Sequence, residues 1–79
     1  MNNNPESVPE STVESLGEAL PREMARVRDV LLPHYDAIPT GVFASALMRA
    51  DLDRAARAMA EGDTVEMMRA YESLRCYKE

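Results

Sequence analysis

The sequence predicts an all-α protein, and three observations carry that prediction. Apolar residues recur every three or four positions over three separate stretches, which is the spacing of one helical face. No stretch alternates apolar and polar residues as a strand does. The turn Glu61-Gly62-Asp63 separates two amphipathic stretches, as in an αα-hairpin. We therefore predict a small three-helix bundle with a C-terminal αα-hairpin and a disordered or loosely docked acidic N-terminal arm.

The length and the cysteine content limit the class of protein. Seventy-nine residues allow one small domain. A chain of this size buries only about 60% of its unfolded surface, so a second copy or a larger partner would add stability. The single Cys76 excludes an internal disulfide and suits a reducing compartment. No apolar run approaches the ~20 residues of a membrane span, and the N-terminus lacks a secretory signal pattern. We expect a cytoplasmic protein that does not engage a membrane.

The acidic charge is concentrated near the N-terminus. Residues 1–20 hold four glutamates and no basic residue, so they carry −4 of the net charge of −5, and residues 21–79 carry −1. We interpret residues 1–20 as an acidic flexible arm and residues 21–79 as the bundle domain. Capping-box motifs at Ser11 and Ser15 predict a short helical turn within the arm. The nearly neutral bundle argues against direct nucleic-acid binding, which needs clustered Lys and Arg.

The first long helix is predicted to begin at Pro21, because proline suits the first helical position. Its buried stripe steps by three or four residues: Met24, Val27, Leu31, Tyr35 and Ile38. Pro33 lies inside this pattern and is predicted to kink or split the helix, since its ring clashes with the carbonyl four residues earlier. Residues 38–41 are predicted to form a break, with Thr40 or Gly41 as the next N-cap.

The second helix is predicted over residues 42–60 and the third from Thr64 to about Tyr77. Gly62 can leave a helix in the left-handed conformation, and Asp63 is then a suitable N-cap. The predicted buried face of the second helix is Ala44, Met48, Leu52, Ala55 and Met59, with Phe43 and Leu47 beside it. The predicted inward residues of the third helix are Val65, Met68, Tyr71 and Leu74. Only one of the two adjacent methionines fits inside at this spacing, which predicts that Met67 is exposed.

Residues that often catalyse reactions or bind metals form no motif in this sequence. His34 is the only histidine, and an exposed loop histidine is a simpler interpretation than an acid–base pair with Asp36. Asp51 and Asp53 are two positions apart on a helix, so their side chains point to different sides. Neither a glycine-rich phosphate loop nor a Gly-x-Ser-x-Gly nucleophile motif is present. We predict no enzymatic activity, no cofactor and no metal.

Protein binding is then the function class that the sequence favours. The candidate partner-binding residues are Glu23, Asp29, Tyr35, Asp36, Ile38, Asp53 and Met67. The four carboxylates would meet a basic groove on a partner and speed the encounter. The aromatic and aliphatic candidates surround an exposed bend, and a methionine adapts to irregular surfaces, although it also fills small cores. A DNA-binding repressor is a further alternative, but acidic residues interrupt the arginines of the second helix.

Two resemblances bear on origin. Residues 55–71 resemble one helix–turn–helix unit of the tetratricopeptide repeats, but a single unit cannot bury its own faces, so we attribute this likeness to shared hairpin geometry. The segment Ile-Pro-Thr-Gly-Val-Phe at 38–43, followed by residues 62–74, is similar to small helical proteins encoded in proteobacterial prophages and mobile elements. This resemblance covers about residues 22–74.

The second resemblance implies a phage-type protein that binds a host protein, of which the anti-CRISPR proteins are the best-known class. The expected function is non-enzymatic inhibition of a host protein complex, in particular blocking DNA access to a type I CRISPR surveillance complex. The alternative is a self-associating structural or regulatory accessory protein of a phage or mobile element. The anti-CRISPR proteins share no motif, so the resemblance assigns no functional residue.

Overall fold

The computed structural model describes residues 15–79, which form three helical rods joined by short connections. The first rod consists of α1 (Leu16–Arg26), a π turn (Val27–Leu31) and α2 (Leu32–Asp36). A 3-10 turn (Pro39–Gly41) leads into α3 (Val42–Glu61), and α4 (Thr64–Arg75) completes the hairpin. The predicted all-α bundle is confirmed, and residues 15–79 contain no strand. The predictions made for residues 1–14, including the capping box at Ser11, lie outside the described residues.

The first rod begins at Leu16, so the predicted start at Pro21 was wrong. Ser15 is the N-cap, and its N–H donates to Glu18 Oε1 at 3.3 Å in the capping box predicted there. Pro21 lies inside α1, next to the fully buried Leu20. Proline removes one hydrogen bond here, to an exposed glycine carbonyl four residues earlier. The cap and the burial of Leu20 outweigh that loss.

The first rod changes its hydrogen-bond pattern just before Pro33. Residues 27–31 form the π turn, and α2 resumes with Pro33 as its second residue, where a helix needs no N–H donor. Pro33 was predicted to kink or split the helix, whereas the rod stays helical through Pro33 to Asp36 and only its hydrogen-bond pattern changes before it. The wider turn leaves both Val27 and Leu31 buried in the core.

The hairpin between α3 and α4 has the predicted caps. Gly62 has a φ of 67° and ends α3 in the left-handed region, which favours glycine. Asp63 Oδ1 accepts a hydrogen bond from the Glu66 N–H at 3.1 Å and so caps α4. The Glu66 carboxylate does not return to the cap, because it accepts from Arg69 Nη1 at 2.8 Å. Gly41 is the N-cap of α3, as one of the two predicted choices.

The rods share one core: α1 packs against α4, α2 against α3, and α3 against α4 along the hairpin. The core cluster contains Leu20, Val27, Leu31, Leu32, Met48, Ala55, Ala70 and Leu74. Predicted stripe residues Met24, Tyr35, Leu52, Met59 and Tyr71 are partly buried against this cluster. Alanines at the centre of the cluster allow the rods to approach closely.

The prediction of which side of α4 faces the core was wrong by one residue position around the helix. Val65 is 60% exposed and Met68 is 50% exposed, so both predictions were wrong. Met67, predicted to be exposed, is instead half-buried against the core, and Ala70 is fully buried. Counting large apolar residues favoured the wrong face, because the close contact is made by a small alanine. Leu74 lies on both possible faces and is buried as predicted.

Candidate protein-binding groove

The two helices of the hairpin differ in length, which leaves part of α3 uncovered. α3 has 20 residues and α4 has 12, so they are about 30 Å and about 18 Å long at 1.5 Å per residue. The hairpin aligns the end of α3 with the start of α4. The Tyr77 hydroxyl, just beyond α4, donates to Asp51 Oδ2 at 2.7 Å. Residues of α3 before Asp51 therefore extend past the end of α4.

The same chain end is bound to the first rod through Arg26. Its Nη2 donates to the carbonyl oxygen of Leu74 at 3.0 Å and to that of Tyr77 at 2.9 Å. These carbonyls belong to the last turn of α4 and the residues after it, where helical partners are lacking. The end of α4 is thus fixed between Arg26 on the first rod and Asp51 on α3. Beyond this level the bundle has two rods instead of three.

Large apolar side chains are exposed on both rods just beyond this level. Val30 lies four residues after Arg26, and Leu47 lies four residues before Asp51, so each is about one turn further along its rod than the residue that holds the end of α4. Phe43 lies one turn beyond Leu47. Their exposed fractions are 51% for Val30, 46% for Leu47 and 76% for Phe43.

We use the name apical groove for the exposed apolar surface of these two rods beyond the end of α4, which is defined by Val30 on the first rod and Leu47 and Phe43 on α3. The adjacent residues Leu31 and Met48 are buried in the core beneath it. The earlier prediction placed Phe43 and Leu47 beside the buried stripe, and it was wrong because α4 is too short to cover them. Large apolar side chains left exposed on neighbouring turns, such as Phe43 and Leu47, are a feature of interaction sites.

Three of the four carboxylates proposed for partner binding already have intramolecular partners. Glu23 Oε1 accepts from Arg26 Nε at 3.1 Å, and Asp29 Oδ1 accepts from Arg28 Nε at 2.8 Å. Asp36 Oδ2 accepts from Arg49 Nη2 at 2.6 Å. Asp53 is exposed and has no ion-pair partner among residues 15–79. The paired carboxylates attract a basic partner less strongly than free ones would.

The ion pairs also lower carboxyl pKa values. The hydrogen bond from Arg28 holds the pKa of Asp29 below its ordinary value. The hydrogen bond from Arg49 does the same for the pKa of Asp36. The Ser45 hydroxyl is buried and has no hydrogen-bond partner among the described residues. These carboxylates stay charged well into the acidic range.

The remaining predicted binding residues do not join the carboxylates in one surface. Tyr35 packs partly against the core, Ile38 is half-buried, and Met67 packs against the core on α4. Sequence reasoning missed Val30 and misplaced Phe43. The signal that could have found them is the unequal length of the two hairpin helices, which the predicted bounds of 42–60 and 64 to about 77 already contained.

The phenol of Tyr77 provides a direct test of how the end of α4 is held. Burial, together with the hydrogen bond to Asp51, raises the pKa of Tyr77 to about 12. Because the folded state favours the neutral phenol, this contribution to stability is complete below the ordinary pKa of about 10 and is lost as the pH rises to about 12.

We expect an ultraviolet titration of tyrosinate to show an ionisation step near pH 12. Tyr77→Phe should remove that step. Asp51→Asn should lower the pKa of Tyr77 but leave it above its ordinary value, since burial is the larger cause of the shift. If the ionisation step near pH 12 persisted in Tyr77→Phe, the assigned contact would be contradicted.

Fold and groove together define a small protein of three helical rods with an apolar surface beyond the end of α4, the shortest rod. Comparison with protein families, with curated proteins and with solved structures finds no match for this chain. Within residues 15–79, no helix is long and apolar enough to cross a membrane. The same residues contain no group of three or more His, Cys, Asp or Glu side chains placed to hold a metal ion.

Proposed function

We propose that this protein acts by binding an amphipathic helix of another protein in the apical groove, without catalysing a reaction. The observation that carries the proposal is the exposure of Val30 on the first rod and of Leu47 and Phe43 on α3, beyond the level at which Arg26 and Asp51 hold the end of α4. A helix placed there would occupy the third position of the bundle and bury these side chains. Helix-in-groove recognition uses apolar residues spaced three or four apart, which match such a surface.

The partner that we propose is a host protein complex in the cytoplasm, in particular a type I CRISPR surveillance complex. This part of the proposal is supported by the resemblance of residues 38–43 and 62–74 to prophage proteins. The bound protein would block DNA access by occlusion. Asp53 is the one candidate carboxylate free to speed the encounter with a basic surface.

Direct DNA binding is the less favoured mechanism. Of the three arginines that a recognition helix would offer on α3, Arg49 is paired with Asp36 and Arg54 is paired with Asp51. A self-associating accessory protein is the second candidate function. It is favoured by the apolar character of the groove and by the small size of the domain.

The test measures DNA binding by a purified type I surveillance complex in the presence of the wild-type protein and of matched variants. Phe43 and Val65 are each the second residue of their helix and are each well exposed, at 76% and 60%. Aspartate at either position interacts equally with a helix N-terminus. We expect Phe43→Asp to lose inhibition by about tenfold or more and Val65→Asp to keep it.

The outcomes separate the two parts of the proposal. Loss of inhibition in Asp53→Lys but not in Phe43→Asp would move the binding surface from the groove to the acidic side of α3. Absence of inhibition by the wild-type protein would remove the CRISPR complex as the partner. Equal inhibition by Phe43→Asp and Val65→Asp would overturn the groove as the binding site.

A further inference from the structure

We infer that Asp36 and Arg49 are positioning residues of the apical groove, which hold its two rods together without contacting the partner. Asp36 is the last residue of α2, and Arg49 lies about two turns into α3. This inference rests on the proposed protein-binding role of the groove. It gives Asp36 a role other than the direct partner contact expected from the sequence.

The contact between Asp36 and Arg49 joins two rods through two hydrogen bonds. Arg49 Nη2 donates to Asp36 Oδ2 at 2.6 Å, and Arg49 Nη1 donates to Asp36 Oδ1 at 3.3 Å. A guanidinium that donates to both oxygens of one carboxylate fixes orientation as well as distance. Four other ion pairs each lie within one rod: Glu23–Arg26, Arg28–Asp29, Asp51–Arg54 and Glu66–Arg69. The Asp36–Arg49 pair can therefore hold two rods in position, which those four cannot.

On α3, Arg49 and the apolar residues of the groove lie on opposite sides of the buried face. At about 100° per residue, Leu47 is about 200° from Arg49 around the helix, and Phe43 is about 240° from it. Met48 is about 100° from both Arg49 and Leu47, and it is buried in the core. The core contact of α3 thus separates Arg49 from the apical groove.

The first rod has the same arrangement. Val30 and Asp36 are six residues apart, which is about 240° around an α-helix and slightly less across the wider π turn. Leu31 and Leu32 lie between these two directions, and both are buried. Because the ion pair joins one side of each rod, the exposed apolar residues of both rods lie on the opposite side. The pair is therefore placed to position the groove and not to line it.

The part of the bundle that carries the groove depends on contacts between two rods. Among the described elements, α2 packs against α3 and the two adjoining turns, and α4 is not one of its main neighbours. Segments with few buried neighbours open locally at a lower free energy than the whole protein unfolds. The Asp36–Arg49 pair opposes that opening. It keeps Val30 in a fixed position relative to Leu47 before a partner binds, which reduces the ordering cost of binding.

The experiment is amide hydrogen exchange of the full chain, followed by nuclear magnetic resonance, with the charges of the pair exchanged. We expect Asp36→Arg and Arg49→Asp, each alone, to speed exchange at the buried residues Leu31, Leu32 and Met48 by about two- to fivefold. The double variant should return these rates to those of the wild type, because it restores the ion pair with its charges exchanged.

Arg69→Asp is the matched control for local opening. Arg69 and Glu66 form an ion pair within α4, and their side chains are 66% and 40% exposed, against 57% and 42% for Arg49 and Asp36. Arg69→Asp should leave exchange at the same three buried residues unchanged, since local opening at the groove does not break that pair. Equal acceleration by Arg69→Asp and Asp36→Arg would overturn the inference, because these amides would then exchange only through unfolding of the whole protein.

Inhibition of the surveillance complex separates this inference from the proposed function. Each single variant should inhibit about two- to fivefold more weakly, and the double variant should inhibit like the wild type. A double variant that recovers its exchange rates but not its inhibition would show that Asp36 contacts the partner directly, and the positioning role would be rejected. Exchange that does not respond to Asp36→Arg, with inhibition still lost in Phe43→Asp, would overturn the inference and retain the proposed function. Recovery of the exchange rates without any inhibition by the wild type would support the tie between the rods and reject the proposed partner.

Discussion

Gly41→Ala is expected to lower the free energy of unfolding by about 2 to 3 kcal/mol, which is typical of a side chain forced into a packed site. Gly41 is buried at the junction of the 3-10 turn and α3, and an added Cβ would collide with the backbone carbonyl of Tyr35. That backbone cannot move freely, because the Tyr35 carbonyl accepts from the Ile38 N–H at 3.2 Å. Urea unfolding followed by circular dichroism measures the effect.

Gly17→Ala is the matched control for this prediction. Gly17 is exposed inside α1, and the nearest atom to an added Cβ is Ser15 Oγ at 3.8 Å, which is ordinary contact. Alanine is a better helix former than glycine, so this variant should be more stable by up to about 1 kcal/mol. Equal stability of Gly41→Ala and wild type would show that α2 and α3 do not approach each other through Gly41.

The Gly41 substitution also bears on the proposed function. The close approach of α2 to the start of α3 fixes the angle between the two rods that carry the apical groove. A folded Gly41→Ala protein that had adjusted its backbone would carry Phe43 in a shifted position. Its inhibition of the surveillance complex should therefore weaken even where circular dichroism shows that the helices are formed.

The features that sequence predicted correctly are those determined by a few neighbouring residues. Gly62 and Asp63 specify the end of one helix and the start of the next, and each acts within about four residues. Ser15 and Glu18 likewise form the expected capping box. None of these predictions required knowledge of how the rods pack.

The features that sequence predicted wrongly depend on contacts between rods. The rotation of α4 is determined by how closely Ala70 approaches the other rods, and alanine is too weakly apolar to reveal this in a pattern. Similarly, a short turn at Ser15 and a separate helix from Pro21 were expected, yet α1 runs without a break from Leu16 through Pro21, with Leu20 buried. The apical groove could be foreseen only by comparing helix lengths, since Phe43 and Leu47 look like core residues in isolation.

Arg26→Gln is the second large effect that we expect, with a loss of about 2 to 3 kcal/mol of unfolding free energy. The guanidinium donates to the carbonyl oxygens of Leu74 and Tyr77 in a partly buried site. A hydrogen bond from a charged group contributes about 1.5 to 3 kcal/mol, and partial solvent exposure reduces this value. Arg26→Lys should recover only part of the loss, because an ammonium lacks the planar fork that reaches both carbonyls.

A specific spectroscopic consequence distinguishes loss of this contact from general destabilisation. If Arg26 holds the chain end, its removal should expose the Tyr77 phenol and bring its pKa down from about 12 toward the ordinary value near 10. Arg28→Gln is the control, because Arg28 forms an exposed ion pair with Asp29 and should change neither stability nor that pKa measurably. An unchanged Tyr77 pKa in a folded Arg26→Gln protein would contradict the prediction.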